Sequence, residues 1–349
     1  MADFPEVLKT EVLVIGAGVL GLCTAVELTR RGHDVRVVDP GGANASSVAA
    51  GMIAPALEAV LDDVTPARAA LFRDARIAWN GFASASGVDI HPAPTIWAGE
   101  GAAEVADALG ALGFEAAEGA DGRISLPSDG MVEPGPALAA MRTALRHPVV
   151  AGQVERVERR GGGWAISTGA AQMFVDAIVL ATGAAVGIAG LPDAVATLVD
   201  QVTPIRGQIG WAGSLAIDAV TRGEGVYVAP SGAGAVIGAS MEAGRRDLEP
   251  DHEVGERLKL AAERLLGRTV EGPIDWRVGI RGATPDGLPM AGPSGEADLY
   301  LALAPRRNGW LLGPLVARVV ADAIESGNPN GGAGSPHATA LDPRRFAIR

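Results

Sequence analysis

Val12-Leu13-Val14-Ile15-Gly16-Ala17-Gly18-Val19-Leu20-Gly21 is the stretch that decides the fold. Its first four residues are apolar and mostly β-branched, as a strand buried on both faces requires. The residues after it, Val19 to Arg31, read as a helix that packs through Leu20, Cys23, Ala25 and Leu28 and stops at Gly32. Val35-Arg36-Val37-Val38-Asp39 then reads as a second strand, completing a βαβ unit. Between strand and helix stands G-x-G-x-x-G. Gly16 permits the tight turn, Gly18 lets the backbone approach a pyrophosphate, and Gly21 lets helix and strand pack closely. The helix N-terminus offers unpaired N–H groups and a positive dipole end. Asp39, 18 residues after Gly21, ends the second strand, where a carboxylate can accept hydrogen bonds from a ribose. This arrangement points to a dinucleotide, and by itself does not choose between NAD and FAD.

Outward from this unit, Ala177–Ala181 is a second buried strand running into Thr182-Gly183. Strands are expected near 205–211, 226–229, 235–239 and 299–303, and helices over 254–266 and 312–325. Asn328 to Ser335 reads as a flexible tail. The dinucleotide-type elements stand at both ends and near residue 180, so the material between them is expected to be inserted and the domains discontinuous.

The chain has 349 residues, enough for two joined domains, and 48% of them are hydrophobic. A formal net charge of −12 is the wrong sign for a nucleic-acid or anionic-membrane surface. Cys23 is the one cysteine and the five histidines are scattered, so neither an intrachain disulfide nor a recognisable metal site is expected. Met1 to Thr10 lacks a secretory pattern, and the uncharged run Val12–Val26 is shorter than a membrane span. A cytoplasmic protein without a membrane span is the expectation; whether it forms a homo-oligomer stays open.

Six ordered segments carry a family resemblance: Ser46 to Pro55, Pro204 to Gln208, Tyr227–Pro230 with Ile237–Glu242, Gly279 to Pro289, Arg307 to Pro314, and Asp342 to Phe346. Together they resemble the D-amino acid oxidase superfamily of FAD-dependent oxidoreductases, with glycine oxidase of the thiamine-biosynthetic type as the nearest likeness. The resemblance implies an α/β fold, with a Rossmann-type FAD-binding domain and a discontinuous α+β substrate domain on an antiparallel sheet. The first is expected at 1–80, 131–200 and 278–349, the second at 81–130 and 201–277.

It further implies a non-covalent FAD held by Gly16, Gly18, Val19, Gly21, Asp39, Ser46, Ser47, Ala49, Ala50, Gly51, Met52, Val154, Thr182, Gly183, Asn308, Gly309, Trp310 and Leu311. Arg281 would meet the carboxylate of a small amino acid with two parallel N–H bonds. Tyr227 would donate to the same carboxylate, Arg307 would be a secondary ligand, and Met52 and Met241 would narrow the pocket. The implied reaction is hydride transfer from the substrate Cα to flavin N5, with dioxygen as acceptor and an imine and hydrogen peroxide as products. An oxidase of D-amino acids, or a dehydrogenase with another acceptor, is the alternative. An NAD-dependent dehydrogenase would leave Ser46–Pro55 and Arg307–Pro314 unexplained. The chain departs from its relatives at Ala304-Pro305-Arg306, where Gly-His and an aromatic are common.

Overall fold

The computed structural model describes residues 8–119, 121–169, 171–185, 187–327 and 335–347. The expected tail, apart from Ser335, lies outside them. The opening strand is Leu8–Ile15, followed by the helix Val19–Arg30 and the strand Val35–Asp39. Leu8–Ile15 pairs in parallel with Val35–Asp39 on one side and with Gln172–Leu180 on the other. Val150–Ala151 and Leu299–Leu303 extend the parallel layer at its two ends. An antiparallel hairpin, Val154–Arg160 with Gly163–Thr168, and the strand Met290–Pro293 complete this eight-stranded sheet.

The central strand is apolar throughout because both of its faces are covered. Val12 and Val14 point into a core shared with the helices Val19–Arg30, Pro66–Ser86 and Gly309–Ser326. Leu13 and Ile15 point into a second core with Trp164, Ile178 and Leu301. Cys23, fully buried, sits where the helix Val19–Arg30 crosses Gly309–Ser326. A Cβ on Gly313 would come within 2.8 Å of its sulfur, so glycine sets how closely these helices approach.

The second sheet has nine strands. Its spine is Thr203–Ala212, paired antiparallel with Ile274–Ala283 over ten residue pairs. Gly234–Gly238, Val226–Ser231 and Val220–Gly223 follow in order, and the helix His252–Leu266 packs over them. One pair departs from an all-antiparallel sheet: Val220–Gly223 runs parallel to Thr95–Trp97. The strand Ile274–Ala283 runs across position 278, so a domain division there cuts a strand. A small third sheet joins Met52–Ile53, Gly130–Met131 and His91–Pro92.

Candidate active site

The G-x-G-x-x-G turn takes the form its spacing requires. Gly16 has φ +112°, and a Cβ there would stand 2.4 Å from the Ala181 carbonyl oxygen. A Cβ on Gly21 would stand 2.0 Å from the Gly16 oxygen, so helix and turn meet backbone to backbone. Gly18, by contrast, would meet only the Ser46 hydroxyl, at 3.3 Å. Its surface faces a cleft of about 500 Å³, lined by Gly16, Asp39, Val154, Thr182 and Gly183 among others. Asp39 accepts from the Ala17 N–H at 2.6 Å and the Gly41 N–H at 2.8 Å, which holds its carboxylate at the mouth of the turn.

Ser46 and Ser47 separate. The Ser46 hydroxyl accepts from the Val19 N–H at 2.9 Å, at the start of the first helix, and lines the cleft. Ser47 instead forms a capping box with Asn44, so its hydroxyl belongs to the short helix Ala45–Val48. Trp310 donates its indole N–H to the Ser46 carbonyl at 3.2 Å, tying this segment to the helix Gly309–Ser326. The first N–H groups of that helix, Gly309 to Leu311, have no helical acceptor, because Leu312 is the first to bond back, to Asn308. Val19, Ala49, Gly309 and Trp310 line a smaller hollow that adjoins the cleft through Gly18 and Ser46.

Beyond it lies a cavity of about 310 Å³. Ala49 to Met52, Asn308, Trp310 and Leu311 form one wall, and Tyr227, Met241, Arg281 and Arg307 another. Arg281 lies flat across Gly207, where a Cβ would come within 2.4–2.5 Å of its guanidinium. Tyr227 lies across Gly238 in the same way, with its hydroxyl carbon and oxygen 2.1–2.2 Å from such a Cβ. Two glycines in the second sheet thus leave the volume that the two side chains fill. Among the described residues, Arg281 makes one side-chain hydrogen bond, to the Ser240 carbonyl at 3.2 Å, and no ion pair. Burial draws its pKa below the usual arginine value, and burial also raises that of the Tyr227 hydroxyl. A half-buried guanidinium without a counterion is able to receive a carboxylate.

Arg307 differs. It is paired with Glu58 and, at 3.1 Å, with Asp62, which also holds Arg306 at 2.7 Å. Glu58 in turn holds Arg222 at 2.7 Å. Burial alone would raise the Glu58 pKa, but Arg222 and Arg307 outweigh it and bring the carboxyl down to about 2. Sequence reasoning missed Glu58, Asp62 and Arg222. Glu58 and Arg222 are 164 positions apart, and no local pattern announces such a pair.

Ala304-Pro305-Arg306 forms a tight turn beside the hollow. Ala304 and Arg306 both have positive φ, 60° and 52°. The Arg306 N–H donates to the Gly282 carbonyl at 2.8 Å, and Ala283 bridges to Pro305. The turn is therefore stitched to the strand that carries Arg281.

A dinucleotide cleft on a parallel sheet, continuous with a small cavity holding a half-buried arginine on a second sheet, defines a two-lobed flavoenzyme architecture. The profile of the DAO family, FAD dependent oxidoreductase, matches residues 11–323, and the chain belongs to that family. It is 29% identical to the glycine oxidase of Geobacillus kaustophilus, over 91% of this chain and 93% of that one. The crystal structure of glycine oxidase from that organism superposes with a TM-score of 0.73 at 23% identity, covering 97% and 99% of the two chains. The tRNA 5-methylaminomethyl-2-thiouridine biosynthesis bifunctional protein MnmC of Caulobacter sp. (strain K31) is 28% identical over 96% of this chain. The chain spans 57% of that relative, about half the length of the first curated relatives it matches. FAD is the cofactor, and the cleft fits it: Gly18 is open to the cleft, Asp39 stands at its mouth, and Cys23 is enclosed between helices. No helix among the described residues is long and apolar enough to cross a membrane.

Proposed function

We propose that the protein oxidises glycine or another small amino acid at its α-carbon, giving the imine and hydrogen peroxide. The observation that carries this reading is Arg281, half-buried without a counterion beside Tyr227 in the cavity that adjoins the FAD cleft. In this reading Arg281 and Tyr227 fix the substrate carboxylate and so orient the Cα–H. Met52 and Met241 bound the space left for a side chain. Gly16, Gly18, Val19, Asp39, Ser46, Val154, Thr182 and Gly183 would hold the dinucleotide, with Gly21 setting the turn behind them. The unpaired N–H groups at Gly309–Leu311 would face the edge of the isoalloxazine that gains charge. Arg307, bound to Glu58 and Asp62, contributes a fixed positive charge rather than a free fork. FAD, when bound, would supply the two-electron acceptor for the substrate Cα–H, with dioxygen as the proposed final oxidant. Glu58, with a pKa of about 2, is a poor base at neutral pH, which suits a reaction that starts from the neutral amine and needs no carboxylate to remove the Cα proton.

The MnmC relative raises a second reading, a substrate attached to tRNA. A net charge of −12 opposes it, since nucleic-acid binding rests on neutralising phosphates. The test is anaerobic addition of glycine, sarcosine, D-alanine and D-proline to the yellow holoenzyme. Loss of the oxidised-flavin band, then peroxide when air returns, supports the oxidase. Bleaching without peroxide points to a dehydrogenase, and no bleaching by any of the four defeats the reading.

A further inference from the structure

Arg222 is a guanidinium that the reaction above leaves unused. It stands on the strand Val220–Gly223, is 7% exposed, and lines the same cavity as Arg281 and Tyr227. Among the described residues its guanidinium has one hydrogen-bond partner, Glu58, at 2.7 Å. The other oxygen of Glu58 is taken by Arg307. One carboxylate therefore serves two guanidiniums. Glu58 is also the only acid among the residues lining the cavity, against three arginines: Arg222, Arg281 and Arg307. Asp62 answers Arg306 and Arg307 from outside the lining and does not reach Arg222. Asp129, the other acid near Arg222, forms no ion pair with it. Arg222 is the cross-strand partner of Tyr227, and both line the cavity together with Arg281.

A buried positive charge without full compensation is costly until an anion reaches it. A monocarboxylate substrate answers Arg281 and leaves Glu58 shared between Arg222 and Arg307. We propose that the substrate is an amine carrying two carboxylates, one seated on Arg281 and Tyr227 and the second received by Arg222. This rests on the amino acid oxidase reading and narrows it to a substrate class. The second carboxylate can hang from the α-carbon side chain or from the nitrogen, and the chemistry at Arg222 is the same in both cases.

The experiment compares matched pairs on the holoenzyme: D-aspartate against D-asparagine, and iminodiacetate against sarcosine. A charge-assisted hydrogen bond predicts that kcat/KM favours the dicarboxylate by about tenfold or more in at least one pair, and which pair responds tells where the second carboxylate hangs. In Arg222→Gln, checked for retained flavin, that ratio falls toward one. Equal turnover within both pairs overturns the proposal, as does a preference that survives intact in the folded variant. A binding measurement on the unaltered protein covers the case in which the variant does not fold. Malonate and succinate should perturb the oxidised-flavin spectrum at concentrations at least tenfold below acetate and propionate; equal concentrations overturn the proposal. Dicarboxylate binding without oxidation of any amine would sustain the anion site and defeat the oxidase reading. Glycine oxidation without dicarboxylate preference would do the reverse.

Discussion

Trp79 donates its indole N–H to the carbonyl of Trp310 at 2.7 Å, the one oxygen in the helix Gly309–Ser326 that Pro314 leaves without its helical donor. Proline at that position removes the N–H that would bond four residues back. A second helix supplies the missing donor from its side chain. The rings of Trp79 and Trp310 stack at 6.3 Å, and Trp310 reaches on to the Ser46 carbonyl. The kink-prone residue is thus built into the path that fixes Ser46 beside the first helix.

Trp79→Phe keeps most of the ring volume and removes the donor. The Trp310 carbonyl is then buried without a partner, and the variant should lose about 1–3 kcal/mol of stability. Chemical denaturation of the holoenzyme measures this. An unchanged midpoint would show that the oxygen finds another donor.

Gly207→Ala places a methyl group where the Arg281 guanidinium now lies. Arg281 must move, and the substrate carboxylate loses one or both of its N–H bonds. The expected result is a rise in KM of at least tenfold while the protein still binds flavin. Wild-type KM in a folded variant would remove Arg281 from the carboxylate site.

Asp129 is 2% exposed, and burial pushes its pKa up to about 7 from an ordinary 3.8. Between those values the unfolded chain has ionised this group and the folded protein has not. Ionisation therefore stabilises the unfolded state as pH rises from about 4 to about 7, and the loss levels off above that. Asp129→Asn lacks this penalty. Its stability relative to wild type should improve by up to a few kcal/mol between pH 5 and pH 8, at about 1.4 kcal/mol per pKa unit. Parallel pH–stability curves for the two proteins would contradict the buried neutral acid.

Ala304 is fully buried with φ 60°, a conformation that costs an L-residue roughly 1–2 kcal/mol. Ala304→Gly relieves this strain, partly offset by the freedom glycine gains in the unfolded chain. A net gain of about 0.5–1 kcal/mol is expected in thermal unfolding of the flavin-loaded protein. A net loss would mean that the Ala304 methyl group contributes more to packing than the turn costs.

The sequence carried the parts of the fold whose causes are local. The turn at Gly16–Gly21, the strand Leu299–Leu303 and the helix His252–Leu266 follow from glycine spacing and apolar periodicity. The 21-residue helix Pro66–Ser86 went unread although its signals are present. Thr65 caps it, Pro66 opens it, Gly87 closes it, and Phe72, Ala75, Trp79, Phe82 and Ser86 recur at helical spacing along its buried face. The site divides along similar lines. Arg281, Tyr227 and the residues around the cleft stand in segments that resemble a family, and the structure brings them to adjoining cavities. Glu58, Arg222 and Asp129 come together only by folding, and a buried ion pair between distant strands and helices leaves no trace in either neighbourhood. Ser46 and Ser47 both stand in the segment Ser46 to Pro55 that carries the family resemblance. A helical cap needs only one of two neighbouring hydroxyls, and the other was left to face the cleft.

The bond from the Arg306 N–H to the Gly282 carbonyl joins the residue after Arg281 to the turn Ala304-Pro305-Arg306. A change in that turn therefore reaches the Arg281 strand through backbone alone, without touching a side chain of the pocket. Ala304-Pro305-Arg306 and the Arg281 strand form one mechanical unit, joined at Arg306–Gly282 and Pro305–Ala283. Transplanting either into a relative without the other would misalign both, so a graft intended to change specificity has to carry the two segments together.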